Sequence, residues 1–154
     1  MTRKRLPWLA SLALLAAIAL MACGTVSPTP NNATATPEPV PTPEPGQVTV
    51  IGRLVNTTTK EPYVNRIVRV AEVIHIDPGD GGTWMIDDAT SPGDYTNDAG
   101  YFIIPSVAAK EYVLVVGDFH VSYAVVTDTP NTAAVWQAEA DTVLDVGQVD
   151  VVLP

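Results

Sequence analysis

One thiol, two imidazoles, a crowd of acids and a few large apolar side chains are the groups in this 154-residue chain that could do chemistry or recognition. Cys23 is the single cysteine. In an exported chain it can form no internal disulfide, so it must be modified, free or paired between chains. His75 and His120 both fall at the ends of candidate strands, and no serine nucleophile elbow accompanies either of them, so a hydrolase triad lacks its parts. Asp77, Asp80, Asp87, Asp88, Asp94, Asn97 and Asp98 crowd into 22 residues. Calcium favours such oxygen ligands. Residues 94–100 space oxygens at alternate positions, yet they lack the sixth-place Gly and the distal Glu of an EF-hand loop. Asp, Asn and Gly are also the common residues of turns, which is the preferred reading. No catalytic residue, metal ligand or cofactor is therefore assigned. Trp84, Met85 and Trp136 are the candidate binding residues, because large apolar groups dominate contact surfaces when exposed.

The surroundings of Cys23 give it a role. Arg3, Lys4 and Arg5 precede 17 uncharged residues, 6–22, which end in small side chains. This is the layout of an export signal. A transmembrane anchor competes, since the apolar run approaches the roughly 20 residues needed to cross hydrocarbon. The ending Leu20-Met21-Ala22-Cys23 resembles the lipobox of bacterial lipoproteins, with Met21 a less usual residue at its position. That resemblance implies a diacylglycerol on Cys23, cleavage just before it, and attachment to a bilayer through the acylated cysteine.

Residues 24–46 hold seven of the fourteen prolines and almost no large apolar side chain. Such a stretch cannot bury enough surface to offset its ordering entropy, and it favours extended polyproline II. Residues 23–46 thus read as a disordered tether. Loss of Arg3, Lys4 and Arg5 with residues 1–22 leaves five of the eight Lys and Arg against all 17 Asp and Glu, a net charge near −12. Nucleic acid is disfavoured as a partner, because phosphate binding needs clustered Lys and Arg.

From residue 47 the texture changes to short valine-rich runs separated by Gly, Pro, Asn and Asp, which read as strands and turns. The expected strands are 47–56, 65–76, 83–87, 101–104, 111–117, 121–127, 133–137 and 146–153. In the first, Val48, Val50 and Gly52 alternate with Thr49, Ile51 and Arg53. No long window has a helical period. The expectation is an all-β chain: a single seven- to eight-stranded antiparallel β-sandwich over 47–154. The connection 77–95 is long and holds Trp84-Met85-Ile86 between acids. That triplet either adds an edge strand that buries Trp84 in the core, or presents Trp84 and Met85 as a contact surface.

Several of these segments carry a family resemblance. Gly52-Arg53-Leu54-Val55, Glu61-Pro62, Val68-Arg69-Val70, Thr96-Asn97-Asp98-Ala99-Gly100-Tyr101-Phe102, Ile104-Pro105-Ser106-Val107 and Glu111-Tyr112-Val113-Leu114 resemble carboxypeptidase regulatory-like domains. The resemblance implies a prealbumin-like sandwich and a structural or adhesive module rather than an enzyme. Lys60 and Lys110 stand where that family usually has Gly, so the two turns are expected to differ in type. The prealbumin-like fold also hosts intradiol dioxygenases, with two Tyr and two His on iron, but His75 and His120 lack a paired spacing for that site. The functional expectation is a lipid-anchored extracytoplasmic module in the cell or outer membrane, with an unknown envelope protein or a glycan as partner. The alternative is a carbohydrate- or peptide-binding accessory lipoprotein.

Overall fold

The computed structural model describes residues 38–77, 79 and 81–154. The leader at 1–22, Cys23 and the tether as far as Pro37 lie outside them, as does Asp80. Every regular element among the described residues is a strand. Two sheets face each other across one core, so the chain is an all-β sandwich.

The first sheet has β1 (Gln47–Asn56) at its centre, with β5 (Tyr101–Ala108) on one side and β11 (Val143–Val151) on the other. The second has the order β10 (Trp136–Gln137), β6 (Glu111–Asp118), β2 (Ile67–Ile74), β3 (Thr83–Met85). β4 (Gly93–Tyr95) also pairs with β2, and β7 (Ser122–Val125) with β6. A small hairpin, β8 (Thr127–Thr129) with β9 (Thr132–Ala133), stands apart.

The alternation expected in β1 is realised. Val48, Val50 and Leu54 point inward and meet Phe102, Ile104 and Val107 of β5, Val68 and Val70 of β2, and Leu114 and Val116 of β6. Each such buried side chain contributes roughly 1.5–3 kcal/mol. β6 departs from simple alternation: Tyr112 to Gly117 are buried without a break. Its other face, Val113 and Val115, joins Ala71 in a second cluster with Val73, Trp84, Ile86 and Phe119. A central strand covered on both faces reads as a continuous apolar run. The Tyr112 hydroxyl donates to Ala108 O at 3.0 Å. Burial, and secondly the nearby Glu72 carboxylate, push its pKa above the ordinary phenol value.

One strand pair departs from the antiparallel expectation: β1 and β11 run parallel, from Thr49 opposite Val143 to Asn56 opposite Val151. No hairpin joins them, so no turn dictates their relative direction. Where β1 passes from Ile51 to Arg53, its partner passes from Asp145 to Gln148. This bulge lets Val146 and Phe102 close over Gly52, where a Cβ would stand 2.6 Å and 2.7 Å from their side-chain atoms. Other boundaries moved as well. The expected 133–137 strand is broken into β9 and β10, β4 appears where no strand was expected, and β5 continues to Ala108 through a bulge with Ser106 at φ 57°.

The two lysines expected to change their turns, Lys60 and Lys110, behave differently. Lys60 adopts φ 61°, the left-handed region that suits Gly, and its ammonium reaches Asp150 at 2.9 Å. Hydrogen bonds from Lys60 and Gln148 hold the Asp150 carboxyl below the usual carboxylate range. Lys110 is absent from the positive-φ residues. It pairs instead with Glu72 at 2.6 Å.

Candidate functional site

The three candidate binding residues do not converge. Trp84 lies on edge strand β3, opposite Val73 of β2, and packs half-buried on the second cluster. Trp84 and Met85 of the triplet thus do lie in an edge strand, with Ile86 just beyond it, but Trp84 covers the outer face of its sheet rather than entering the main core. Its neighbour Met85 is 60% exposed and borders a depression of about 470 Å³ with Glu72, Ile86 and Tyr112. Trp136 sits on β10, opposite Tyr112 of β6, and packs against the main core. The two tryptophans therefore stand on the terminal strands of one sheet's path and join different clusters.

Two members of the crowded polar stretch, Asp87 and Asn97, close turns of the backbone. Asp87 Oδ1 accepts from the N–H groups of Ala89 and Thr90, at 2.7 Å and 3.1 Å. Asn97 Oδ1 accepts from Ala99 and Tyr101, each at 3.0 Å, and closes the turn that Gly100 completes at φ 83°. A Cβ on Gly100 would lie 2.6 Å from Leu54 O. Asp88 faces Arg69 at 3.4 Å and His120 at 3.3 Å, while His75 meets Glu111 at 2.7 Å. Among the described residues no group of three or more His, Cys, Asp or Glu is placed to share an ion.

A different set of residues does converge, on the outer face of the three-stranded sheet. Alternation that turns Val50 and Phe102 inward turns Ile51, Arg53, Tyr101 and Ile103 outward, where they floor a groove of about 380 Å³. β4 brings Asp94 and Tyr95 to it, β11 brings Asp145 and Gln148, and the incoming chain brings Glu38 and Val40. Tyr95 is 58% exposed and Tyr101 38%.

The groove is preorganised. The Arg53 guanidinium carbon lies 5.5 Å from the centre of the Tyr101 ring, and its Nε donates to Ala99 O at 3.0 Å. Asp94 accepts from Tyr95 N at 2.8 Å and from Ile103 N at 3.0 Å. Asn97 N donates to Tyr101 O at 2.8 Å. Two groups on the outer edge of β5 are thereby satisfied, which discourages pairing of another strand there. Exposed aromatic faces, aliphatic floor and carboxylates together suit recognition by side-chain contact.

Alternation in the sequence placed Ile51 and Arg53 on one face of the first strand, and a strand was expected to begin at Tyr101, but nothing in it drew these residues into a site. Tyr95 was missed because β4 has only three residues and no periodicity of its own.

No family model matches the chain, and no curated protein matches it. Among solved structures, a 9R-lipoxygenase from Cyanothece PCC8801 is similar at 18% identity and a TM-score of 0.41. The similarity covers 76% of this chain and 18% of that one, so the chain spans under a fifth of that structure's length. A likeness of this degree bears on neither fold family nor activity.

Proposed function

We propose that the chain is a membrane-anchored extracytoplasmic lipoprotein, held by acylated Cys23, whose carboxypeptidase regulatory-like sandwich acts as a non-catalytic structural or protein-interaction module. The observation that carries this reading is the order of parts: a lipobox-like ending at the sole cysteine, a proline-rich stretch, and a sandwich with its own core. The acyl chains supply about 0.8 kcal/mol per buried methylene toward anchoring, which an acidic surface would not supply on an anionic bilayer. Expression of the full chain with a labelled fatty acid tests the anchor. Label and membrane fractionation should both be lost in Cys23→Ser, and equal label in the two proteins refutes it.

The second reading, a peptide- or carbohydrate-binding accessory lipoprotein, is favoured by one feature, the tyrosine-lined groove. Capture of envelope components by the intact protein separates the two readings. Binding lost in Tyr95→Ala supports a groove ligand, and binding that survives it supports contact elsewhere on the sandwich.

A further inference from the structure

We infer that the groove on the three-stranded sheet is a binding site for an extended polypeptide segment bearing basic side chains, with the incoming chain at 38–41 as one of its walls. This deepens the second reading, the peptide-binding one, and rests on it. Three observations converge on such a ligand.

Charge comes first. Glu38, Asp94 and Asp145 line the groove, and Arg53 is the single cation among its lining residues. That guanidinium is already engaged, by the Tyr101 ring and the Ala99 carbonyl. A cation arriving from outside meets a net negative field, reinforced by the acidic chain as a whole. Shape and polarity come second. Ile51, Ile103 and Val40 offer aliphatic contact, while Tyr95, more than half exposed, offers an open ring face. Lys and Arg lay an apolar stem along such a surface and set the charged tip on an aromatic face or a carboxylate. Neutral sugars would use the rings and could donate hydroxyls to the acids, but they would leave the net negative charge of Glu38, Asp94 and Asp145 against Arg53 unbalanced.

The third observation is that polypeptide already lies beside the groove. Residues 38–41 run there as irregular chain, and Thr49 Oγ1 donates to Pro41 O at 3.4 Å, near the long limit for a hydrogen bond. Thr49 itself is buried. The face thus accommodates irregular backbone beside its floor. Because Asp94 and Asn97 occupy groups on the outer edge of β5, the ligand is read through its side chains rather than as an added strand.

Calorimetric titration of the purified full-length protein in detergent tests this with three probes: an octapeptide of alternating Val and Lys, its Val–Glu counterpart, and cellohexaose. The Val–Lys peptide should bind, more weakly as salt is raised. Tyr95→Ala should raise its Kd roughly three- to thirtyfold, the range of a cation–π contact, with Glu38→Gln raising it less and neither changing the melting temperature. An unchanged Kd in Tyr95→Ala, or equal or tighter binding of the Val–Glu peptide or the sugar, overturns the assignment. Failure here with envelope-protein capture intact removes the groove and leaves the interaction module. Failure of both removes the module as well.

Discussion

Trp84→Ala is the substitution that best tests how the outer face of the larger sheet is held. Trp84 packs on the cluster formed by Ala71, Val113 and Val115, and it does so from edge strand β3, which is three residues long. Full burial of a large aromatic makes truncation to Ala cost about 3–5 kcal/mol. Trp84 is half-buried, and its strand can relax into the space, so about half of that, ~2 kcal/mol, is expected. In a domain of this size that corresponds to a fall in Tm of about 8 °C. Met85, 60% exposed on the same strand, provides the control. Met85→Ala should stay within about 0.5 kcal/mol of the parent, as surface substitutions do. Melts followed by circular dichroism report both variants. A Tm for Trp84→Ala within a degree of the parent, or an equal loss in Met85→Ala, would refute the packing argument and return Trp84 to the list of contact residues.

Other perturbations read other parts of the fold. Tyr112→Phe removes the bond to Ala108 O and should cost about 1 kcal/mol at neutral pH in a urea titration. Because the folded pKa of Tyr112 is raised above the free value of 10.0, its contribution is complete below that value and is lost as pH rises through the folded one. Tyr112→Phe should therefore flatten the alkaline fall in stability, and identical alkaline profiles would refute this. Gly52→Ala places a Cβ against Val146 and Phe102 and should cost roughly 1–3 kcal/mol through overpacking, measured by the same titration. Gly100→Ala meets both a left-handed φ and the Leu54 carbonyl, so about 2 kcal/mol or more is expected. Lys60→Ala removes the leading cause of the lowered Asp150 pKa, so that pKa should rise toward the ordinary carboxylate range when followed by NMR. The ion pair persists above the ordinary Asp pKa and is lost as pH falls through the lowered one.

Much of the sandwich was legible because its determinants are local. Val48, Val50 and Leu54 alternate, and Asn97 to Gly100 carry their own turn chemistry. What escaped depends on distant parts of the chain. The parallel pairing of β11 with β1 has no turn to announce it. Gly93–Tyr95 becomes a strand because β2 offers it an edge, with Ile67 opposite Tyr95, and three residues carry no period. The groove on the three-stranded sheet escaped for the same reason. Trp84 and Trp136 drew attention by size, yet each found a cluster to cover. The groove is made by smaller aromatics and an arginine from four strands and the incoming chain, which only the folded topology brings together.

The central position of β1 has a mechanical consequence. A pull applied through the residues before Gln47 enters the sandwich at the start of β1 and runs along that strand. β5 and β11 flank it on both sides, so the load falls on two ladders of hydrogen bonds at once, and along the strands rather than across them. Bonds loaded in this way must fail together instead of opening one after another like a zip. Under force the lifetime of the fold is set by its unfolding rate rather than its equilibrium stability, and this placement of β1 guards that rate against tension from the side on which the chain enters.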